Sequence, residues 1–221
     1  MKLSENTLNL LKNFSTINKG IYVKAGNKLQ SITHTGSLMA EATVEENFPI
    51  SFAIEDLNKV LGVIDRDSID VEFEKSFLAI NSIGKTRIRY AEPEAIDTAP
   101  EKGINVSYEN SCSLSADEMR WIIKTAMILK CPTIIFKSDG TGQEINVMAG
   151  DIEGKIVDEA VITVKGKVTS AFNAIALIEY FKFIPGSYDV SISSRGAIRF
   201  KNTTKDLTYW VAVEEKSTFG K

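Results

Sequence analysis

The chain has 221 residues, of which 43% are hydrophobic and 25% charged, and its net charge at pH 7 is -3. These values are typical of globular proteins and argue against collagen, coiled coils and long disordered chains. The length allows one large domain or two compact ones, and the acidic balance argues against a binder that is basic over its whole surface while leaving room for one basic face.

The N-terminus predicts a helix of a globular domain. MKLSENTLNLL lacks the continuous apolar core of a signal peptide, and no run reaches the roughly 18 apolar residues of a membrane span. We therefore expect a cytoplasmic protein with no membrane segment. In that compartment Cys112 and Cys131 are expected to be reduced thiols in apolar surroundings.

The first predicted helix is amphipathic and begins after Ser4, a residue type that commonly caps helices. Its apolar side carries Leu8, Leu11 and Phe14. The opposite side carries one lysine among mostly neutral groups, namely Glu5, Asn9, Lys12, Asn13 and Thr16. From spacing alone, a solvated surface explains this side well enough.

The chain contains an internal repeat. FAIEDLNKVLGVI at 52–64 aligns without a gap with FNAIALIEYFKFI at 172–184. After a slip of one residue, SIDVEF at 68–73 meets SYDVSI at 187–192. Two duplicated halves are the simplest interpretation. The aligned segments 52–64 and 172–184 are both predicted to be helices.

Between the halves lies AEPEAIDTAPEKG at 91–103, whose prolines, glycine and acidic residues suit an extended connector. The predicted organisation is an N-terminal domain at 1–91, a connector at 92–106 and a C-terminal domain at 107–221. The fold class is α+β, with two helices on a mostly antiparallel sheet in each domain. Strands are predicted at 20–24, 37–44, 69–74, 77–82, 85–90, 132–138, 143–149, 155–166, 187–194, 196–201 and 207–214.

Leu114-Ser115 repeats the Leu3-Ser4 start and opens a second amphipathic helix, where Ser115 and Glu118 have the spacing of a capping box. Its inward side carries Met119, Ile122, Ile123 and Ala126, and its outward side Asp117, Arg120 and Lys124. In the remaining two predicted helices, neighbouring acidic residues can cancel the positive charge. Lys59 lies near Glu55 and Lys182 near Glu179, so each pair can neutralise itself.

Catalytic and metal-binding motifs are missing. His34 is the single histidine and is interpreted as a surface residue in a turn, and two separated cysteines do not supply a zinc site. Asp65 and Asp67 are interpreted as a solvated turn, and no nucleotide-binding loop is present. We therefore predict no metal, no cofactor and no catalytic residue, although carboxylates brought together by folding would be invisible to spacing arguments.

Four segments resemble the sliding clamps of T-even-type bacteriophages: MKLSENTLNLLKNFSTINKGI, AIEDLNKVLGVI, PGSYDVSI and TYWVAVEEKST. These clamps are polymerase processivity factors related in fold to proliferating cell nuclear antigen. The resemblance implies a homotrimer that closes into a ring, with helices lining a hole for double-stranded DNA. It also implies a binding protein of the host cytoplasm that is not an enzyme.

The resemblance implies that the exposed sides of these helices face the DNA. The implied DNA-binding residues are Asn9, Lys12, Asn13, Lys59, Arg120, Lys124 and Lys182. The implied partners are DNA polymerase, the clamp loader, and late transcription factors with RNA polymerase. They are expected to dock near the connector and the chain's end, where Ile96 and Trp210 are candidates.

Two other interpretations stay open at this point. A duplicated β-rich structural or assembly protein of a virion would have its helix faces buried by other chains. An enzyme with a site between the halves would need converging carboxylates with perturbed pKa values.

Overall fold

The structure, a computed structural model, describes residues 1–64, 69–100 and 104–220. It divides into two compact units, Met1–Glu101 and Lys102–Lys221. The predicted turn at Asp65 and Asp67, and the start of the predicted repeat at Ser68, lie outside the described residues, as does Glu101 of the connector. The finer boundaries at 1–91, 92–106 and 107–221 remain a proposal.

The first unit consists of helices and short antiparallel strands. In chain order its elements are α1 (Glu5–Ile17), β1 (Ile21–Val23), β2 (Gly26–Ile32), β3 (Leu38–Phe48), β4 (Phe52–Ile54), α2 (Leu57–Val63), β5 (Asp70–Phe73), β6 (Phe77–Asn81), β7 (Lys85–Arg89) and a 3-10 turn (Pro93–Ala95). Strand β1 pairs with β4 and β2 with β3, while β5, β6 and β7 form a meander.

Helix α1 covers the core of the first unit and packs on α2 and β3. Leu8, Leu11 and Phe14 are buried, as the apolar spacing predicted. Burial of each such side chain contributes about 1.5–3 kcal/mol relative to leaving it in water. The predicted cap is also confirmed, because the Ser4 hydroxyl oxygen accepts a hydrogen bond from the Thr7 amide at 3.2 Å.

The second unit is built on one long antiparallel sheet. In chain order its elements are β8 (Asn110–Leu114), α3 (Ala116–Leu129), β9 (Thr133–Ser138), β10 (Glu144–Gly150), β11 (Ala160–Lys167), β12 (Phe172–Leu177), a 3-10 turn (Ile178–Tyr180), β13 (Tyr188–Ser193), β14 (Ala197–Asn202), β15 (Leu207–Ala212) and β16 (Thr218–Phe219). The strand order in this unit is β16-β12-β9-β10-β11-β8-β13-β14-β15. Helix α3 packs over β9, β10 and β11.

The predicted helix at 172–184 is wrong. Its first half is β12, which pairs with β9 along its whole length, and only a single 3-10 turn follows. Hence the described part of the second unit has one α-helix where two were predicted. In the first unit, 52–54 is likewise strand β4, and the helix begins only at Leu57 after its cap Asp56.

Side chains hold residues 181–184 out of a helix. Phe183 stacks on Tyr209, with ring centroids 4.4 Å apart, and also packs on Phe200. The Ile184 amide donates a hydrogen bond to the Tyr209 hydroxyl at 3.1 Å, and the Ile184 carbonyl accepts one from the Tyr188 hydroxyl. These bonds satisfy the backbone groups that a helix would otherwise pair, so local helical spacing is overridden by packing.

Most predicted strands are present with shifted ends, but the candidate strands omitted β2, β4, β8, β12 and β16. The alternating burial of β10 and β11 positions the core side chains under α3, as expected for strands with one buried face. Within residues 1–64, 69–100 and 104–220, no helix is long and apolar enough to cross a membrane.

Candidate nucleic-acid interface

Helix α1 presents a sparse polar surface on the side opposite its core contacts. Asn9, Lys12 and Thr16 are exposed and Asn13 is half-buried, as the helical spacing predicted. Glu5 is also exposed in the first turn. The surface therefore combines one long cationic side chain with neutral hydrogen-bonding groups, an arrangement that attracts an anion without fixing its position.

The start of α1 is fixed by a carboxylate from β3. Glu46 accepts one hydrogen bond from the Ser4 amide and another from the Thr7 hydroxyl. Burial alone would raise the pKa of Glu46, but these hydrogen bonds outweigh burial and lower it below its ordinary value of 4.5. An anion at this position also suits the positive end of the helix dipole. Glu46 thus sets the position from which Lys12 projects.

Helix α3 of the second unit, like α1, is amphipathic and begins at a serine cap. The predicted capping box is confirmed, with the Ser115 amide donating to the Glu118 carboxylate at 2.8 Å and the Glu118 amide to the Ser115 hydroxyl at 3.3 Å. Met119, Ile122 and Ala126 are buried against the sheet. This packing turns the side that carries Arg120 and Lys124 to the surface.

The two cations of α3 are not equivalent. Arg120 forms an exposed ion pair with Asp117 one turn earlier, whereas among the described residues Lys124 has no ion pair. Exposed pairs of this kind contribute about 0.2–1 kcal/mol. Arg120 can therefore exchange Asp117 for another anion at little cost, and Lys124 offers the fuller positive charge.

Lys59 and Lys182 lie on different kinds of structure. Lys59 is exposed on α2, the helix that packs against α1, so it lies in the same unit as Lys12. The predicted pairing of Lys59 with Glu55 is not among the ion pairs of the described residues. Lys182 is exposed on the extended segment beside α3 rather than on a helix, so the helical basis given for it was wrong.

A groove of about 340 Å³ runs beside α3, at the place where the second helix of this unit was predicted. Its floor is apolar and includes Ile123, Phe183 and Ile184, and its rim carries Arg120 and Lys124. The same helix exposes three large apolar side chains: Trp121, Met127 and Ile128. These side chains add exposed apolar surface to the helix that borders the groove.

The candidate partner residues differ in accessibility. Ile96 is only 8% exposed and packs in the first unit, where a Cβ on Gly20 would lie 2.7 Å from its Cδ1 atom. Trp210 is half-buried on β15. Its backbone lies opposite Arg199 of β14, and the Arg199 guanidinium lies 4.5 Å from the centre of the Tyr108 ring.

Sequence reasoning missed Tyr108 and Arg199. The signal available for Arg199 was the alternation of β14, in which an arginine stands between two buried apolar residues, Ile198 and Phe200. Burial raises the pKa of Tyr108, while the Arg199 charge and the nearby Trp210 indole act in the opposite direction.

The single histidine and the two cysteines lie in separate elements of the described chain. His34 is exposed, and its Nδ1 atom lies 3.1 Å from a carboxylate oxygen of Asp97. Cys112 and Cys131 are buried free thiols, and the Cys131 thiol donates a hydrogen bond to the Asp158 carbonyl at 3.5 Å. Burial raises the pKa of Cys112 to about 12. Among the described residues, no three His, Cys, Asp or Glu side chains form a metal-binding group.

No family model matches the chain, but curated proteins do. The sliding clamp of Vibrio phage KVP40 is 28% identical over 222 residues, which cover 97% of this chain and 99% of that protein. The sliding clamp of Enterobacteria phage T4 is 29% identical over 233 residues, with 99% of each chain covered. The chain is a relative of these phage sliding clamps.

Solved structures show that the chain has the clamp fold. A. fulgidus PCNA, solved with the C-terminal region of FEN-1, matches with a TM-score of 0.72 at 13% identity over 96% of both chains. The Helicobacter pylori beta clamp bound to a DNA ligase peptide matches with a TM-score of 0.69 at 15% identity, covering 100% of this chain and 68% of that chain. The predicted α+β clamp fold is therefore confirmed.

The similarity to sliding clamps does not by itself assign a binding role to any of these surfaces. The DNA contacts predicted for Asn9, Lys12, Asn13, Lys59, Arg120, Lys124 and Lys182 stay predictions. So do the partner contacts predicted for Ile96 and Trp210. No catalytic residue is assigned among the described residues.

Proposed function

We propose that the protein is a phage DNA sliding clamp that encircles duplex DNA in the host cytoplasm and tethers the replicative DNA polymerase. The observation that carries this proposal is similarity along the whole chain to sliding clamps of two phages, at 28% and 29% identity. The clamp fold of the chain supports it independently. A ring blocks sideways release of DNA and leaves only sliding, and this topological link is the source of processivity.

To slide, a clamp must attract the DNA phosphates without being held at one position along the duplex. The observed affinity of a protein for duplex DNA falls with salt with a slope of about 0.9 per neutralised phosphate, so a dense cationic lining would hold the duplex in place. The exposed sides of α1 and α3 do not form such a dense cationic lining. Each carries few cations, and the charge of Arg120 is already shared with Asp117. We assign Asn9, Lys12 and Asn13 on α1, and Arg120 and Lys124 on α3, to the DNA-facing surface.

Lys59 and Lys182 extend the same proposed surface. Lys59 belongs to the helix next to α1, and Lys182 to the segment next to α3. Both are long exposed side chains, so they can reach a phosphate without a fixed contact. We expect them to contribute less than Lys12 or Lys124, because they flank the two amphipathic helices.

Ring closure needs two complementary edges on each copy. Among the residues that the structure describes, β7 is the outer strand of its meander, and residues 160–165 of β11 pair on one side only. We propose that β7 of one copy pairs with β11 of the next, a head-to-tail contact that closes after three copies. Val161, 41% exposed on β11, and the exposed Met127 and Ile128 of α3 supply apolar surface for this contact to bury.

Partner docking is proposed at the surface around Trp210. The partners expected from the clamp relationship are DNA polymerase, the clamp loader, and late transcription factors with RNA polymerase. In the neighbouring structures, the PCNA is bound to a region of FEN-1 and the beta clamp to a DNA ligase peptide. Ile96, being buried, is proposed to support the connector from below rather than to contact a partner directly.

Two measurements on the purified chain test the proposal. Native mass should equal three chains of 24.4 kDa each. Addition of the chain and a clamp loader to a primed circular template should lengthen the products that polymerase makes before it dissociates. A monomer at high concentration, together with unchanged product length, would contradict the proposal.

A further inference from the structure

The second unit has a groove where the first unit has a helix. In the first unit α2 packs against α1 and buries Leu57, Val60 and Leu61. The aligned segment of the second unit, 172–184, consists of strand β12, a 3-10 turn and irregular chain. Among the described residues of that unit α3 is the single α-helix, and a groove of about 340 Å³ runs along its side. The groove thus lies at the position of a helix that the repeat has in the first unit only.

Both walls of the groove are fixed. On one wall the Phe183 ring stacks on Tyr209, and the Ile184 amide donates a hydrogen bond to the Tyr209 hydroxyl at 3.1 Å. The other wall is α3, where the amide of Ala116 donates to the Ser187 hydroxyl at 3.0 Å. This bond ties the start of the helix to the opposite wall. The groove is therefore already formed, and an occupant does not have to open it.

The floor of the groove is apolar and only partly covered. Ile123, Phe183 and Ile184 line it and are half-buried, and Pro185 at its edge is exposed. Covering these side chains with apolar groups of another molecule removes apolar surface from water, which favours binding. A phosphate group is ionic and does not supply that cover. Duplex DNA that contacts the rim therefore leaves the floor in water.

The rim of the groove is cationic. Arg120 and Lys124 lie one turn apart on α3. Arg120 pairs only weakly with the exposed Asp117, and Lys124 has no ion pair among the described residues. A rim of this kind complements an acidic occupant. It disfavours a second copy of this chain, since α2 carries the exposed Lys59 and buries its apolar side in its own unit.

The dimensions of the groove suit a short helix. Its wall on α3 extends from Ala116 to Met127, about 16 Å of helix, which corresponds to about three turns of an occupant that lies alongside. In the first unit, α2 buries residues at 57, 60 and 61, the i, i+3, i+4 spacing of an amphipathic helix. An occupant with this spacing sets one apolar side on the floor and leaves residues four apart to meet Arg120 and Lys124.

We propose that the groove seats a short amphipathic helix of a partner protein, with apolar side chains on Ile123, Phe183 and Ile184 and acidic side chains against Arg120 and Lys124. The occupant takes the position beside α3 that α2 takes beside α1. A seated helix covers the two cations assigned to DNA, so it excludes the duplex from this part of the surface. This exclusion rests on the proposed function, whereas the seat itself does not.

Methionine methyl resonances report occupancy of the groove by nuclear magnetic resonance. Met119 lines the groove, whereas Met39 of β3 and Met148 of β10 do not. The probe is a hydrocarbon-stapled helical peptide of about three turns, with the Leu-x-x-Val-Leu spacing of α2 and glutamate at the other unstapled positions. It should shift the Met119 resonance saturably and leave those of Met39 and Met148 in place. A peptide with lysine for glutamate, and one with serine for the three apolar residues, should each bind at least about tenfold more weakly.

Two exposed lysines provide a matched pair of variants. Lys124→Glu reverses a charge on the rim and should weaken binding of the glutamate peptide about tenfold or more, while strengthening binding of the lysine peptide. Lys137→Glu makes the same change on β9, outside the groove, and should leave both affinities within about twofold. Because both side chains are exposed, both variants should keep the native Tm in circular dichroism.

Three outcomes would overturn the inference: no saturable shift of Met119, equal binding of the glutamate and lysine peptides, or equal weakening by Lys124→Glu and Lys137→Glu. Competition with a DNA duplex separates the inference from the proposed function. If the peptide binds through Lys124 but the duplex does not displace it, the seat stands and the DNA-facing role of α3 fails. If the peptide does not bind while the protein still loads onto circular DNA, the clamp stands and the seat fails.

Discussion

Replacing Glu46 with Ala removes the carboxylate that fixes the start of α1. The Ser4 amide and the buried Thr7 hydroxyl both lose an acceptor. Hydrogen bonds to charged groups contribute about 1.5–3 kcal/mol each, and Glu46 is only partly buried, so we expect a loss of about 2–3 kcal/mol in the free energy of unfolding. For a chain of this length, each kcal/mol lowers Tm by about 2–4 °C.

Two further variants make the Glu46 prediction specific. Glu46→Gln keeps one acceptor but removes the charge, so its loss should be about half that of Glu46→Ala. Glu45 is the exposed neighbour on the same strand, and Glu45→Ala should change stability by no more than about 0.5 kcal/mol. Urea unfolding followed by circular dichroism measures all three. Equal losses for the Glu45 and Glu46 variants would refute the role assigned to Glu46.

The same carboxylate predicts a pH dependence. Because hydrogen bonds lower the pKa of Glu46 in the folded state below its ordinary value of 4.5, the contribution is complete above that pH. It is lost as the pH falls through the folded pKa, where protonation removes the charge. The stability difference between the native protein and Glu46→Gln should therefore shrink from pH 6 towards pH 3. A difference that stays constant over this range would contradict the assignment.

Three more predictions concern single residues. Lys12→Glu should reduce the salt slope of DNA binding by about 0.9 for each copy that contacts a phosphate, without changing Tm, as measured by binding at several salt concentrations; an unchanged slope would remove Lys12 from the DNA-facing surface. Tyr209→Phe leaves the Ile184 amide without its acceptor and should cost about 1–3 kcal/mol in urea unfolding, and a neutral result would show that packing alone holds this segment. Gly166→Ala places a Cβ 2.3 Å from the Ser111 carbonyl oxygen and should cost about 1–3 kcal/mol in the same assay; native stability would mean that β8 and β11 separate easily.

Local signals predicted the two amphipathic helices well. In α1 and α3 the apolar spacing, the Ser4 and Ser115 caps and the polar outer side all indicate the same structure. When propensity, capping and burial agree, tertiary packing has nothing to override. The positions of Lys12, Arg120 and Lys124 on exposed surfaces followed from the same pattern.

One element of the predicted repeat was interpreted wrongly. The alignment of Phe52 with Phe172 pairs equivalent positions, since each begins a strand, β4 or β12. Helical spacing in 172–184 was nevertheless misleading, because Phe183 is held in the aromatic cluster and Ile184 is bonded by two tyrosines distant in sequence. Interactions at that range are not visible in a local pattern.

The grouping of Tyr108, Arg199 and Trp210 was invisible for a similar reason. Tyr108, Arg199 and Trp210 are separated by long stretches of chain, and only the register between β14 and β15 places the last two side by side. The family resemblance named Trp210 as a candidate but gave no reason to join it to Arg199. A one-residue change of register would turn Arg199 into the core, so its position depends on the assembled sheet.

The central claim is that the protein holds DNA by encircling it. The most direct measurement loads the protein onto nicked circular DNA with a clamp loader, removes free protein by gel filtration, and then cuts the circle once with a restriction enzyme. The account predicts stable retention on the circle and rapid loss after the cut, because the protein slides off the new ends. Equal retention on circular and linear DNA, or no retention on either, would contradict it.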